Sequence, residues 1–169
     1  MTLARNFPFF SILVCLVGSV VTSVLKPRAA KALTIIIAGV VLVLSAFTLR
    51  YALALESAEP FMMGHFPAPW GNELRIGRLE ALMATGISAV LFITLMAGFY
   101  HMPAFVSEKK LGLYCIMVDL AMCAILVMLY TNDLFTAYVF IEIMTIASCA
   151  LVIVRQNGHT LVAATRYMI

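Results

Sequence analysis

Apolar residues run along this chain in long unbroken stretches, without the spacing that marks one buried face of a soluble helix or strand. Five stretches stand out: Phe7 to Leu25, Ala32 to Leu53, Leu82 to Tyr100, Leu111 to Tyr130 and Leu134 to Val154. Each is close to the ~20 residues that an α-helix needs to cross a bilayer. The alternating segments of an outer-membrane barrel do not occur. The pattern predicts an all-α, polytopic helical membrane protein with five full transmembrane helices and the start of a sixth, in a single membrane domain over residues 1–169. That start is GHTLVAATRYMI, helical over about 160–169 and too short to span. The first stretch could be mistaken for a signal peptide. No small-residue cleavage site follows it, and LKPRAAK leads straight into the second stretch, so it is expected to be retained.

The polar segments between the runs set the topology. Lys26, Arg28 and Lys31 lie between the first two runs, Lys109 and Lys110 between the third and fourth, and Arg155 after the fifth. If five spans alternate, all of these fall on one side, and short basic loops face the cytoplasm. The N-terminus and the longer loop from Ala54 to Arg78 then lie outside, although Arg50, Arg75 and Arg78 share that side. In that loop Pro67, Pro69 and Gly71 are turn formers. NELRIGR could form a short strand there, or the loop could be a plain connector.

Composition agrees with the hydropathy. The chain is 64% hydrophobic and 11% charged, against about 25% charged in soluble domains. Mean hydropathy is +1.07. The net charge of +3 comes from basic residues spread between apolar runs, so it reads as topology and implies no nucleic-acid partner; the partner is the lipid bilayer. Cys15, Cys115, Cys123 and Cys149 lie inside apolar runs, where cysteine acts as a small hydrophobe. The methionines serve most simply as packing filler. His65, His101 and His159 sit in or beside loops. No phosphate-binding loop, nucleophile elbow or cluster-binding cysteine pair occurs, so no cofactor or catalytic residue is assigned.

Two carboxylates interrupt the apolar runs. Asp119 and Glu142 flank the tight turn TND, which makes the fourth and fifth spans antiparallel neighbours. Counting along both helices puts each carboxylate about 16–18 Å from the outer surface, near the midplane and at nearly equal depth. Tyr138, Glu142, Thr145 and Cys149 recur at helical spacing and form one weakly polar face, expected to look into the protein. Cys115, Asp119 and Cys123 share a face in the same way. Carboxylates at this depth serve ion or proton relays, or hold helices together as protonated hydrogen-bonding groups. On the first reading Glu142 and Asp119 belong to an ion pathway, with Tyr138 and Thr145 as polar lining. Cys115, Asp119 and Cys123 have a spacing that permits metal ligation, but no histidine lies near in sequence to complete a set, and no metal is assigned.

NDLFTAYVFIEIMTIASCALV resembles the fifth-span segment of the D-type proteins of Mrp cation/proton antiporters, a family that also supplies the antiporter-like subunits of complex I and of energy-converting membrane-bound hydrogenases. PAPWGNELRIGRLEALM resembles the segment before that family's third span. The resemblance covers the chain as an N-terminal portion. It implies that Glu142 is the family's fifth-span glutamate, which pairs with a lysine on the seventh span and helps to drive ion movement. This chain stops before the seventh span, so a neighbouring membrane subunit would supply the remaining antiporter-like helices and a midplane lysine. It departs from the family at GRLEALM, where Glu80 is added, and Asp119 matches no family residue. The resemblance places the chain in a bacterial or archaeal cytoplasmic membrane, as part of a multisubunit complex moving protons or sodium. The competing reading is a structural scaffold subunit of a respiratory-type or hydrogenase membrane complex with no ion path of its own. A free-standing transporter would lack half of its path.

Overall fold

In the computed structural model the chain is described over residues 5–55, 57–62, 71–98, 101, 106–154 and 158–168. Among the described residues six helices and one short hairpin follow in order: α1 Phe7–Val24, α2 Pro27–Leu53, β1 Glu59–Met62, β2 Glu73–Ile76, α3 Arg78–Gly98, α4 Glu108–Tyr130, α5 Leu134–Ile153 and α6 Gly158–Met168. The first five helices are long and apolar enough to cross a membrane. The sixth has 11 residues.

Three helices, α2, α3 and α4, begin earlier than their apolar runs. α2 starts at Pro27 because proline is pre-set for the first helical position, where its missing N–H costs nothing. Hydropathy cannot see this turn, since Arg28 and Lys31 are polar. α3 starts at Arg78, immediately after β2, with Glu80 in its first turn, where a carboxylate suits the positive end of the helix dipole. The end of the expected third span, at residues 99–100, lies outside the described residues, as do Arg155, His65, Pro67 and Pro69.

α4 is the central element. It packs against α1, α2 and α5, while α2 also packs against α1 and α3, and α6 lies against α5. The core is built from small and branched side chains, among them Cys15, Ile37, Val41, Val118, Met122, Cys123 and Leu126. Close approach depends on small residues. A Cβ on Gly18 of α1 would run into the Ile37 side chain of α2. Two threonine hydroxyls are satisfied inside the bundle: Thr85 Oγ1 lies 3.0 Å from the Ser45 carbonyl across the α2–α3 contact, and Thr48 donates to Leu44 O at 2.9 Å. The outer faces carry large apolar groups such as Ile36, Val90 and Ile93, which suits a lipid or protein surround.

The loop after α2 is more than a connector. β1 and β2 pair antiparallel, Glu59 opposite Ile76 and Met62 opposite Glu73. The strand expected in NELRIGR is Glu73–Ile76, with Leu74 and Ile76 buried and Arg75 exposed, the alternation of a half-buried strand.

Candidate functional site: two intramembrane carboxylates

Asp119 lies in a closed compartment between three helices. Its residue is 1% exposed. Thr22 of α1 and Thr34 of α2 place their hydroxyls 3.2 Å and 3.1 Å from its Oδ2. Cys115 and Cys123, one turn to either side on α4, are buried on the same face. Cys15 of α1 is buried in the neighbourhood of both Cys123 and Asp119. Lys31 is only 9% exposed and lies in the neighbourhood of Cys115. It precedes Thr34 by one helical turn on α2. Hydropathy alone assigns Lys31 to a basic surface loop and gives no role to Thr22 and Thr34. The signal for Lys31 is its i, i+3 spacing to Thr34, which puts both on one helix face.

The expected depth needs correction. Thr22 stands in the last turn of α1 and Thr34 two turns into α2. Their contacts set Asp119, midway along α4, beside the parts of α1 and α2 nearest Lys26, Arg28 and Lys31. Along the helices, Asp119 is about 16 Å from the end of α4 at Tyr130, and Glu142 about 12 Å from the start of α5 at Leu134. The two carboxylates are offset by about one helical turn and face different surroundings.

Glu142 is exposed at the surface of the chain, as is Tyr138, which is 61% exposed. This corrects the expectation that their face looks into the protein. Thr136 and Ala147 are buried, and Phe140 and Leu151 pack against the core. At about 100° per residue Glu142 falls on nearly the opposite side of α5 from these positions. Further along the polar face, Thr145 is half-buried, its hydroxyl donating to Ile141 O at 2.9 Å. Cys149 is buried, with its sulfur 3.8 Å from Ala164 O of α6. Only the far end of the face is thus covered by the chain itself. Among the described residues no hydrogen bond or ion pair reaches the Glu142 side chain. Among the described residues no group of three or more His, Cys, Asp or Glu side chains could hold a metal ion.

The end of the bundle away from the basic loops is fixed by polar contacts. The Arg5 guanidinium lies 5.5 Å from the Phe61 ring centre, which puts the start of α1 beside the hairpin. Tyr51 donates to Glu59 at 2.9 Å, and Arg78 donates to Leu55 O at 2.5 Å. Glu80, the residue added in GRLEALM, pairs with Arg75 at 3.6 Å.

Fold and site define a multi-pass helical membrane protein with one enclosed and one outward-facing intramembrane carboxylate. Its relatives are antiporter-like membrane subunits. The chain is 33% identical over 138 residues to the NADH-quinone oxidoreductase subunit N of Desulforudis audaxviator, covering 79% of this chain and 27% of that protein. It is 25% identical over 142 residues to a Staphylococcus aureus protein assigned as antiporter subunit mnhD2, covering 78% of this chain and 26% of that one. In fold it is similar to a chain of the membrane-bound sulfane sulfur reductase, an archaeal respiratory membrane complex, with a TM-score of 0.86 over 99% of this chain and 34% of that one, at 22% identity. No family model matches the sequence. The chain thus spans about a quarter of the length of the curated relatives it matches.

Proposed function

We propose that this chain is an ion-translocating membrane subunit, equivalent to the N-terminal part of an antiporter-like subunit, which works within a multisubunit complex of a bacterial or archaeal cytoplasmic membrane. The observation that carries this reading is the position of Glu142. It is an ionisable side chain on an apolar helix, turned away from its own bundle. Left in lipid, such a group costs several kcal/mol, roughly 2.5–3.5 on the insertion scale. That cost is offset if a neighbouring membrane subunit packs against α5 and sets a cation, most simply a midplane lysine, opposite Glu142. A carboxylate and an ammonium group facing each other across a helix contact can exchange a proton or release a cation as the pair opens. Tyr138 and Thr145 line the same face. Homology to antiporter-like subunits supports this reading, and the moving ion is a proton or sodium.

The test is ion uptake into vesicles by the assembled complex, normalised to the amount of complex. Glu142→Gln keeps the shape and most hydrogen bonding but removes the charge. Uptake should fall about tenfold or more, equivalent to at least about 1.4 kcal/mol of barrier. Normal uptake per complex would instead leave the chain as a scaffold between transporting subunits.

A further inference from the structure

Around Asp119 there are more acceptor atoms than hydroxyl protons. Thr22 Oγ1 lies 2.8 Å from the Gly18 carbonyl of its own helix and 3.2 Å from Asp119 Oδ2. A hydroxyl has one proton to donate. That proton reaches Gly18 O in one hydroxyl rotamer and Oδ2 in the other; with the proton on Gly18 O, Thr22 turns a lone pair toward Oδ2. Two oxygen lone pairs facing each other at that distance repel unless a proton lies between them. Thr34, at 3.1 Å, supplies a donor to Oδ2 but does not relieve the Thr22 contact.

We propose that Asp119 is a reversible proton-binding site enclosed by α1, α2 and α4, separate from the outward face of Glu142. With the proton on Oδ2, the carboxyl donates to Thr22 Oγ1 and Thr22 donates to Gly18 O. When the proton leaves, the Thr22 hydroxyl rotates from Gly18 to the carboxylate. The carboxyl O–H is the only bond made or broken. The proton is exchanged with water at the end of the bundle that carries Lys26, Arg28 and Lys31, because Thr22 and Thr34 both lie toward that end.

Each packed element contributes its own titratable groups. Cys15 comes from α1, Lys31 from α2, and Cys115 and Cys123 from α4 itself. On α3, Glu80 acts on Tyr130, at the other end of α4. On α5, Tyr138 and Glu142 face outward and Cys149 faces α6. This site stands without the reading of Glu142, because no described contact joins the two carboxylates.

Infrared difference spectroscopy of the full chain in its purified assembly tests the proposal. A protonated-carboxyl C=O stretch should titrate with pH, vanish in Asp119→Asn and persist in Glu142→Gln. In Thr22→Val, which keeps the shape but removes the acceptor, the band should move to higher frequency as its hydrogen bond is lost. This variant also serves if Asp119→Asn fails to assemble. An unshifted band in Thr22→Val, or a wild-type spectrum with no band that Asp119→Asn removes, would overturn the assignment. So would a band displaced by sodium at fixed pH, since the site would then hold a cation. Loss of the Asp119 band has no bearing on uptake by Glu142→Gln, so the two readings fail separately.

Discussion

Asn132 is tied to Glu73 twice: its backbone N–H donates to the Glu73 carbonyl at 2.9 Å and its Nδ2 to Glu73 Oε1 at 3.0 Å. The α4–α5 turn is thereby fastened to β2. The link is extended by the bridge between Thr131 and Leu74 and by the Thr136 hydroxyl, 2.7 Å from Asn72 Oδ1. The turn sets where α5 starts, and so where the face bearing Glu142 points. A hairpin in a surface loop thus positions an intramembrane carboxylate.

Cutting this link should loosen the hairpin more than it destabilises the bundle. Asn132→Ala removes the side-chain arm and keeps the backbone bond, and the side-chain bond is solvent-exposed. The expected loss is about 0.5 kcal/mol, the low end for a hydrogen bond. Glu73→Ala should cost a similar amount, and the double variant less than their sum. Thermal unfolding gives the energies, and tryptic cleavage after Arg75 reports the loosening. Fully additive losses would show that the two side chains act separately.

The start of α5 should be sensitive to acid. Asp133 caps the helix, its Oδ2 contacting the Thr136 hydroxyl at 2.6 Å and the Thr136 N–H at 2.9 Å, and its Oδ1 accepting from Phe135 N–H at 3.4 Å. The Thr136 hydroxyl first, and then these N–H groups, hold the Asp133 carboxyl below its usual range. A group lowered by folding stabilises the fold above its unfolded value, 3.8, and loses that contribution as pH falls through the lower folded value. Asp133→Asn keeps a cap acceptor without a charge. The advantage of the wild type in melting temperature over Asp133→Asn should hold at pH 6 and shrink below about pH 4. An advantage that does not change with pH would remove the charge from the account of this cap.

Orientation has its own test. Arg5 against Phe61 places the N-terminal end and the hairpin together at one end of the bundle. The connection between α1 and α2, at Lys26, lies at the other. The positive-inside rule predicts that the basic end faces the cytoplasm. An impermeant thiol reagent added to intact cells should label Phe61→Cys and leave Lys109→Cys and Arg155→Cys unlabelled until the cells are opened. Labelling of Lys109→Cys but not of Phe61→Cys would reverse the topology.

The sequence by itself determined the spans, their order and the antiparallel pairing of α4 and α5. Hydrocarbon thickness fixes the length of an apolar helix, and a turn as short as TND leaves its two helices no choice but to be neighbours. It also singled out both carboxylates, since a charge within such a run stands out without any coordinates, and it marked the strand in NELRIGR. Only the tertiary structure decided which way the carboxylates face. Periodicity groups Tyr138 with Glu142 but cannot say whether α4 takes that face or the one bearing Thr136, Phe140 and Ala147; packing gave α4 the second face and turned Glu142 outward. Nor could spacing bring Thr22 and Thr34 to Asp119, because they meet it across 97 and 85 residues of chain, through helix contacts that no local pattern records.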